Sequence, residues 1–439
     1  MTAHPRTIHL LYNLSGVGHH VAAWRHPDSR TERALDLDYY VELAREAERG
    51  LFDAVFIADT PVLRAAQGEQ LANTPFEPVT LLSAIAARTR SIGIIPTLSY
   101  SYSEPYTVAR QIASLDLLSR GRAGVNLVTS AGDAVARNYG FASQPAHDAR
   151  YARAREYASA LLQLWQSWEP AAVVFDRSGG ILVDPKKIHP VNFAGEHISV
   201  AGPLNVPRSP QSRPVLLQAG ASDDGIQQAG QFADAVYLRS VSLAETREFY
   251  RKIKEAAVAA GRAPDDVKVL PGIVPYVGRT RDEAIRLHDE IESLHVQSPY
   301  DLARLGAMLG IDLSDAKPDD PVPLDRLPDP SKFNGSVTGF VQLRNYAIED
   351  KLTLGQLAHK LRSDAPLGMS APVGSGEDLA DFIEEWVGEG AADGFVLQIP
   401  IAPTGLTMFV DEVVPVLQKR GLFRTEYEGT TLQDRLGVR

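Results

Sequence analysis

The residues with the clearest chemical potential lie in the stretch PVLLQAGASDDG, positions 214–225. An apolar run there meets small residues that include Gly220 and Ala221, and a polar run begins at Ser222. A buried strand that ends beside a helix start exposes several backbone N–H groups at one point, which binds anions and phosphate in particular. We therefore predict an anion on Gly220 and Ser222, with the aspartates at 223–224 facing solvent. The alternative is that Ser222 is only a helix N-cap.

Polar side chains follow the other apolar runs of the chain in the same way. They lie at 13–20, 59, 97–102, 126–130 and 398. They include one carboxylate, amides, hydroxyl groups, two imidazoles and tyrosines, without a pair of acids placed for glycoside hydrolysis or a lysine for a Schiff base. This set favours a polar, planar ligand, and hence a cofactor that brings its own chemistry.

Each of these residues also has a purely structural interpretation. Asp59 could cap the following helix, and Thr97 could be a strand residue with a satisfied hydroxyl group. Tyr100 and Tyr102 could be core aromatics, which helical spacing alone does not distinguish from the wall of a pocket.

Other catalytic motifs are missing from the sequence. GVGHH at 16–20 lacks the third glycine of a dinucleotide-binding fingerprint, and there is no P-loop, H-E-x-x-H or G-x-S-x-G motif. The adjacent His19 and His20 would point to opposite faces of an extended chain, and no further cluster has metal-ligand spacing. We therefore expect no metal site.

The elements that position these residues alternate along the chain. Eight apolar runs are predicted to be strands, each followed by a helical segment. The runs are TIHLLYNL, AVFIAD, SIGIIPTLSY, AGVNLVTS, PVLLQAG, DAVYLRS, VKVLPGIVPYV and DGFVLQIP. Eight such pairs favour an α/β fold of the closed (β/α)8 TIM-barrel type over an open sheet. Its active sites lie at the carboxyl ends of the strands, where the polar residues fall.

Two segments interrupt what we predict to be one barrel domain over residues 1–439. Residues 170–212 are rich in β-formers, glycine and proline, which predicts a hairpin insertion. Residues 298–372 are dense in proline and aspartate, and structureless segments of this length are usually functional or disordered. We predict a mobile lid over the barrel mouth, with a surface insertion of no further role as the alternative.

Composition excludes several functions. The net charge of −11 argues against nucleic-acid binding. The absence of cysteine removes disulfides, thiolate nucleophiles and cysteine-based zinc sites. No apolar run approaches the roughly 18–20 residues that cross a bilayer, and the N-terminal residues do not resemble a secretion signal. We expect a soluble, cytoplasmic protein that binds neither nucleic acid nor membrane.

Several motifs are together similar to one known family. They are GHHVAAWRHP (18–27), FIADT (56–60), EPYTVARQIASLDLLSRGRAGVNLVTS (104–130), DARYARAREY (148–157), QAGASDDG (218–225) and VVPVLQKRGLFRTEYEGTTLQDRLG (413–437). The chain resembles, from about residue 6 to 437, the family of nitrilotriacetate monooxygenase component A, dibenzothiophene sulfone monooxygenase and a pristinamycin synthase subunit. This family belongs to the bacterial luciferase-like superfamily, and its fold is a (β/α)8 barrel.

The resemblance implies that reduced FMN binds at the strand ends. Asp59 and Thr97 would then face the isoalloxazine ring, with Asn126 close by. His147 and Tyr151 are four residues apart, and so would share one helix face if the helix begins that early.

By the same resemblance, that helix face would reach toward the ribityl phosphate. Ser222, with the backbone of Gly220 and Ala221, would hold the phosphate itself. The anion predicted on this stretch would then be the FMN phosphate.

The resemblance further implies a two-component monooxygenase, in which a separate NAD(P)H:flavin reductase supplies reduced FMN. With O2, this cofactor would oxygenate an organosulfur or amine-type substrate and cleave a C–S or C–N bond. A closing lid would exclude water. His20 is the candidate for proton transfer near the substrate. Tyr100 and Tyr102 would line a pocket that favours a planar or partly apolar substrate over a multiply charged one.

Other functions remain open at the level of sequence. Alkane-oxidising relatives carry a histidine directly after VTS, where this chain has Ala131, so an alkane hydroxylase is disfavoured. A flavin- or deazaflavin-dependent dehydrogenase on the same barrel is the main alternative, and a non-catalytic flavin-binding protein is another. A homo-oligomer, either a dimer or a tetramer, is expected by analogy with the superfamily.

Overall fold

A computed structural model describes residues 7–63, 75–130, 132–220, 222–239, 242–294, 300–330, 333, 337–363 and 369–438. Its centre is a closed barrel of eight parallel strands in sequential order, which confirms the predicted (β/α)8 fold. The strands are β1 (His9–Asn13), β2 (Ala54–Ile57), β3 (Gly93–Ser99), β4 (Gly124–Val128), β5 (Val215–Ala219), β6 (Ala235–Leu238), β7 (Lys268–Ile273) and β8 (Gly394–Leu397).

Helices surround the barrel or belong to its insertions. They are α1 (Leu37–Arg49), α2 (Pro78–Ala86), α3 (Pro105–Ser119), α4 (Asp133–Asn138), α5 (His147–Gln166), α6 (Asp223–Phe232), α7 (Leu243–Ala259), α8 (Arg281–Ser293), α9 (Tyr300–Leu309), α10 (Val337–Glu349), α11 (Leu354–Ser363), α12 (Gly376–Gly388), α13 (Thr404–Met408), α14 (Val414–Lys419) and α15 (Leu432–Leu436). A π-helical turn, Phe409–Val413, joins α13 to α14, so the last predicted helix is continuous. The sequence did not predict the short α4 and α15.

Side chains alternate between the barrel interior and the helical layer, as the two-residue period of a strand requires. In β6, Ala235 and Tyr237 join the apolar cluster inside the barrel, whereas Val236 and Leu238 pack with α6 and α7. Helix starts are fixed locally: the Ser242 side chain, for example, accepts a hydrogen bond from the backbone N–H of Glu245 at the start of α7.

The amino end of the barrel is stabilised by the same ion-pair arrangement at three strands. Each of β2, β6 and β8 is directly preceded by an aspartate. Its carboxylate accepts a hydrogen bond, at 2.8–2.9 Å, from a backbone N–H of the preceding strand and also pairs with an arginine or lysine side chain. The three sets are Asp53 with Leu10 and Arg424, Asp234 with Leu216 and Arg213, and Asp393 with Val269 and Lys254. Because the strands' carboxyl ends lie opposite, these ion pairs stabilise the fold away from the predicted site.

The closing motif of the sequence covers this same end. Leu432 and Leu436 of α15 lie in the apolar cluster inside the barrel, and the Gln433 side chain donates to the carbonyl of Arg213. The segment therefore acts as a plug for the barrel floor.

The segment at 170–212 contains two short antiparallel hairpins rather than one. Val173–Asp176 pairs with Ile181–Val183, and Phe193–Ala194 pairs with Ser199–Val200. A single two-stranded hairpin buries little, so the second packs on the helical layer through Phe193 and Val200.

The segment at 298–372 contains three helices within the described residues, with a stretch at 310–330 that consists mostly of turns and loop. Helices α9, α10 and α11 enclose an apolar cluster separate from those of the barrel, formed by Leu302, Leu305, Leu309, Leu313, Val322, Phe340, Leu343, Ala347, Leu354, Leu357 and Ala358. The chain then returns to the barrel mouth, where Val274, directly after β7, donates to the carbonyl of Ser370. The insertion is thus a small helical unit rooted at the mouth. No helix in the described ranges is long and apolar enough to span a membrane.

Candidate active site

The pairing of β3 and β4 places two predicted residues side by side above the apolar interior. Thr97 is the register partner of Asn126, and Asn126 Nδ2 donates to Thr97 Oγ1 at 2.9 Å. Both side chains are buried. Asn126 Oδ1 has no hydrogen-bond partner within the described residues. A buried amide oxygen without a donor is costly, so this atom is a ready acceptor for a bound ligand.

Asp59 lies just past β2 and is half-buried. Burial raises the pKa of its carboxyl group, and the charge of Glu77 acts in the same direction. The cap of the next helix is Glu77, whose carboxylate accepts from the N–H groups of Val79 and Thr80 at 3.0 and 2.7 Å. Because Glu77 takes that role, the interpretation of Asp59 as the helix cap is wrong.

The predicted anion-binding residues come together between α5 and α6. Tyr151 OH lies 3.0 Å from Ser222 Oγ, which also accepts from the N–H of Gly225 as the N-cap of α6. Helix α5 begins at His147, and the rings of His147 and Tyr151 lie 4.6 Å apart. Gly220 has φ +133°, with open space where a side chain would stand. The predicted residue Ala221 lies outside the described residues, as does Ala131.

The two aspartates beside this cluster differ. Asp223 is exposed, as predicted, but Asp224 is half-buried and its carboxylate lies 3.7 Å from His147 Nδ1. The Asp224 side chain keeps 45% of its surface exposed, so both aspartates reach solvent, and Asp224 does so beside His147. His147, Asp148 and Asp224 bring three ligand atoms within 4.8 Å of one another. Since Asp148 is 99% exposed, this is an ordinary surface arrangement and we assign no ion to it.

His20 lies in the loop after β1 and is buried. Its Nδ1 accepts from the N–H of Ala22 at 3.1 Å, and its Nε2 lies 3.1 Å from Glu292 Oε1 on α8. Both ring nitrogens are therefore engaged, and proton exchange with a substrate would require release of Glu292. Burial lowers the pKa of the neighbouring His19 to about 4.

The two predicted substrate tyrosines have different surroundings. Tyr100 is buried in the layer between β3, α3 and α5, with its ring edge-on to Tyr157 at 5.3 Å. Tyr102 is half-buried and stacks on Tyr139 at 5.0 Å, with Phe141 at 5.7 Å. Because Tyr139 and Phe141 are about half exposed, Tyr102 belongs to an accessible aromatic wall and Tyr100 to the packed core.

Sequence reasoning missed four groups at this end of the barrel. Tyr139 and Phe141 follow α4, and Glu292 lies in the last turn of α8, so none of these three residues follows a strand. In contrast, the sequence did indicate Gln398 as a polar residue after a strand. Its side-chain amide donates to Tyr237 OH at 2.5 Å, and that hydroxyl contacts Met369 Sδ at 3.3 Å. Arg239 directly follows β6 and is exposed. The predicted strand DAVYLRS contained the signal for it, a charged residue next to its last position.

The sequence matches a family model described as luciferase-like monooxygenase over residues 18–393. It is 41% identical to N-acetyl-S-(2-succino)cysteine monooxygenase of Bacillus subtilis (strain 168), over 100% of this chain and 98% of the relative. It is also 41% identical to nitrilotriacetate monooxygenase component A of Aminobacter aminovorans, over 98% of this chain and 95% of the relative.

A solved structure agrees with these relatives. The structure of riboflavin lyase with modified FMN and the substrate riboflavin superimposes with a TM-score of 0.85. The two chains are 29% identical, and the match covers 98% of this chain and 96% of the other. The fold and the sequence thus point to the same family.

Proposed function

The chain belongs to the luciferase-like monooxygenase family, and from this premise we propose that it is the oxygenating component of a two-component, FMN-dependent monooxygenase. Its substrate would be an organosulfur or amine-type compound, since the two relatives at 41% identity are named for one of each. A separate flavin reductase is proposed because the second relative is named as one component of its enzyme. Assembly as a dimer or tetramer stays a prediction.

The observation that carries the proposal is the joint position of the polar residues at the ends of β2 to β5. The unpartnered Asn126 Oδ1 suits an N–H of an isoalloxazine ring, and Thr97 holds the amide so that this oxygen remains the acceptor. Beside the sheet, the free N–H groups at the start of α6 and the hydroxyls of Ser222 and Tyr151 suit a phosphate. The residues present therefore fit FMN.

When bound, reduced FMN would supply the electrons that activate dioxygen. Asn126 and Thr97 would fix the ring, and Tyr151 and Ser222 would fix the phosphate. Asp59 would lie near the ring, where burial raises the pKa of its carboxyl group. The helical insertion would keep water away from the reacting atoms, which a monooxygenase needs in order to avoid loss of its oxidant as hydrogen peroxide.

Anaerobic mixing with reduced FMN, followed by oxygen in a stopped-flow instrument, tests this function. We expect a transient near-ultraviolet absorbance that outlives the one from free reduced FMN. Oxidation as fast as in buffer would contradict the proposal. Organosulfur and amine compounds that shorten the transient would then identify the substrate class.

A further inference from the structure

Gln218 is a buried amide at the carboxyl end of β5, beside the proposed phosphate site. Its side chain faces the helical layer, because it shares the two-residue period of Leu216, which packs there, and not that of Leu217 inside the barrel. The residue is 5% exposed. Its Nε2 donates to the carbonyl of Gly225, in the first turn of α6, at 2.8 Å. One side chain thus joins the end of β5 to the start of α6.

The Gln218 amide is poorly suited to a purely structural role. A carbonyl in the first turn of a helix already accepts the backbone N–H four residues further on, so the bond from Gln218 is not needed to satisfy Gly225. Gln218 Oε1 is buried and has no hydrogen-bond partner within the described residues, which is unfavourable. An aliphatic side chain like that of Leu216 would avoid this cost. What glutamine adds here is therefore the hold of its amide nitrogen on α6.

Gly225 is the point at which the proposed phosphate ligands and Gln218 converge. A Cβ atom at this position would lie 3.1 Å from Ser222 Oγ, 3.7 Å from Tyr151 OH and 3.8 Å from Gln218 Nε2. Gly225 does not have a positive φ, so these neighbours, and not the backbone conformation, favour glycine. Its N–H donates to Ser222 Oγ at 3.2 Å. A displacement of this turn would therefore also move the Ser222 hydroxyl group.

We propose that Gln218 is a positioning residue for the FMN phosphate. Through the carbonyl of Gly225 it sets the first turn of α6, so that the Ser222 hydroxyl and the backbone N–H groups meet the phosphate. The ring of the cofactor would be held separately, by Asn126 and Thr97. The inference rests on the proposed function and deepens it by naming the residue that orients its phosphate site.

Binding of oxidised FMN and of riboflavin, followed by flavin fluorescence, tests the proposal without turnover. Gln218→Met approximately keeps the length of the side chain but removes the donor. We expect it to weaken FMN about 3- to 10-fold, the effect of one hydrogen bond, and to leave riboflavin affinity within about twofold of wild type. Its thermal midpoint should change little, because the unpartnered oxygen is removed together with the bond.

Gly225→Ala tests the same geometry from the helix side and remains informative if the methionine variant does not fold. The added methyl group would crowd Ser222 Oγ, so FMN affinity should fall by a similar factor while riboflavin affinity stays the same. Alanine favours a helix over glycine, which opposes any loss of stability. A thermal melt of each variant separates the change in affinity from a change in folding.

Two matched controls make the same substitutions elsewhere. Gln418→Met removes a bond from a glutamine Nε2 to the carbonyl of Arg424, which is also 2.8 Å long. Gly388→Ala adds a methyl group at the end of α12, where the described residues leave open space around it. Both should keep the wild-type preference for FMN over riboflavin.

The proposal is overturned if FMN affinity stays within about twofold of wild type in Gln218→Met or, where that variant does not fold, in Gly225→Ala. It is also overturned if riboflavin affinity falls by the same factor, if Gln418→Met has the same effect, or if wild type binds FMN no more tightly than riboflavin. A protein that passes these binding tests but fails the stopped-flow experiment with oxygen would contradict the proposed monooxygenase function alone. The two failures are therefore distinguishable.

Discussion

At the scale of single residues, the hydrogen bond between Asn126 and Thr97 decides which amide atom faces a ligand. Replacing Asn126 with alanine removes the unpartnered oxygen, so we expect reduced FMN to bind about tenfold more weakly. Anaerobic titration followed by flavin absorbance measures this affinity. Gln163→Ala, on the exposed side of α5, is the control. Unchanged affinity in Asn126→Ala would remove this residue from the flavin site.

Tyr151 and Ser222 allow the phosphate contact to be separated from helix capping. Tyr151→Phe deletes one hydroxyl beside Ser222, so affinity for FMN should fall several-fold while affinity for riboflavin stays the same. Ser222→Ala should have the same effect and also lower stability by about 1 kcal/mol, because it removes the N-cap of α6. Parallel titrations with the two flavins and a thermal melt measure both. An equal loss for FMN and riboflavin would contradict a phosphate contact.

Single residues also show which parts of the candidate site the sequence could predict. The polar residues at strand ends could be predicted because the sequence shows apolar runs that are each followed by an amide, a hydroxyl group or an acid. Asp59 could not be assigned as cap or ligand, since the choice depends on where α2 begins. Tyr100 and Tyr102 look alike in sequence, but the chain leaves β3 at Ser99 and turns one ring into the core and the other to the surface.

At the scale of elements, the end of α8 is joined to the loop after β1 by two histidine–glutamate pairs. His20 meets Glu292 at 3.1 Å, and His26 Nε2 lies 3.5 Å from Glu290. Arg25 also donates to the carbonyl of Leu294. These contacts fix the end of α8, from which the chain enters the helical insertion.

Breaking the inner pair should therefore loosen the cover of the site. In Glu292→Ala we expect more hydrogen peroxide per NAD(P)H consumed, with flavin affinity unchanged, because water reaches the site more easily. A coupled reductase assay with peroxide detection measures this. Glu290→Ala is the matched control, since Glu290 is 58% exposed and its pair is weaker, so its effect should be smaller. Equal coupling in wild type and Glu292→Ala would exclude this role.

The helices of the insertion could have been predicted from the sequence but were not. Leu302, Leu305 and Leu309 recur at spacings that place them on one face of α9. The prolines and aspartates between α9 and α10 drew attention to the linking segment instead. The proline density therefore correctly indicated a linking segment, but it did not reveal the short helices on either side.

At the scale of the whole molecule, the buried ion pairs and the proposed active site occupy opposite ends of the barrel. The aspartate pairs and the plug formed by α15 lie at the amino ends of the strands. The flavin-fitting residues and Arg239 lie at the carboxyl ends. The alternation of eight strands and helices was enough to predict this division, because parallel strands send all their carboxyl ends to one face. The aspartate pairs join residues 21, 139 and 371 positions apart, so no common sequence spacing could reveal them.

The pair of Asp53 and Arg424 gives this division a pH signature. Burial alone would raise the pKa of Asp53, but the charges of Arg424 and His9, with the hydrogen bond from Leu10, lower it below its usual value. A depressed folded-state pKa means that the stabilisation is present above the unfolded-state pKa of about 3.9 and is lost as the pH falls below it.

Asp53→Asn should therefore lower the thermal midpoint strongly at pH 7, since breaking a buried ion pair costs about 3–5 kcal/mol. The difference from wild type should shrink as the pH falls below about 4, where Asp53 of the unfolded chain takes up a proton before Asp53 of the folded protein does. Thermal melts between pH 7 and 3 measure this, with Glu248→Gln in an exposed α7 pair as control. FMN affinity at neutral pH and low temperature should stay unchanged, because the pair lies at the end of the barrel opposite the mouth. A midpoint difference that is constant with pH would show that Asp53 stabilises the barrel by its hydrogen bonds rather than by its charge.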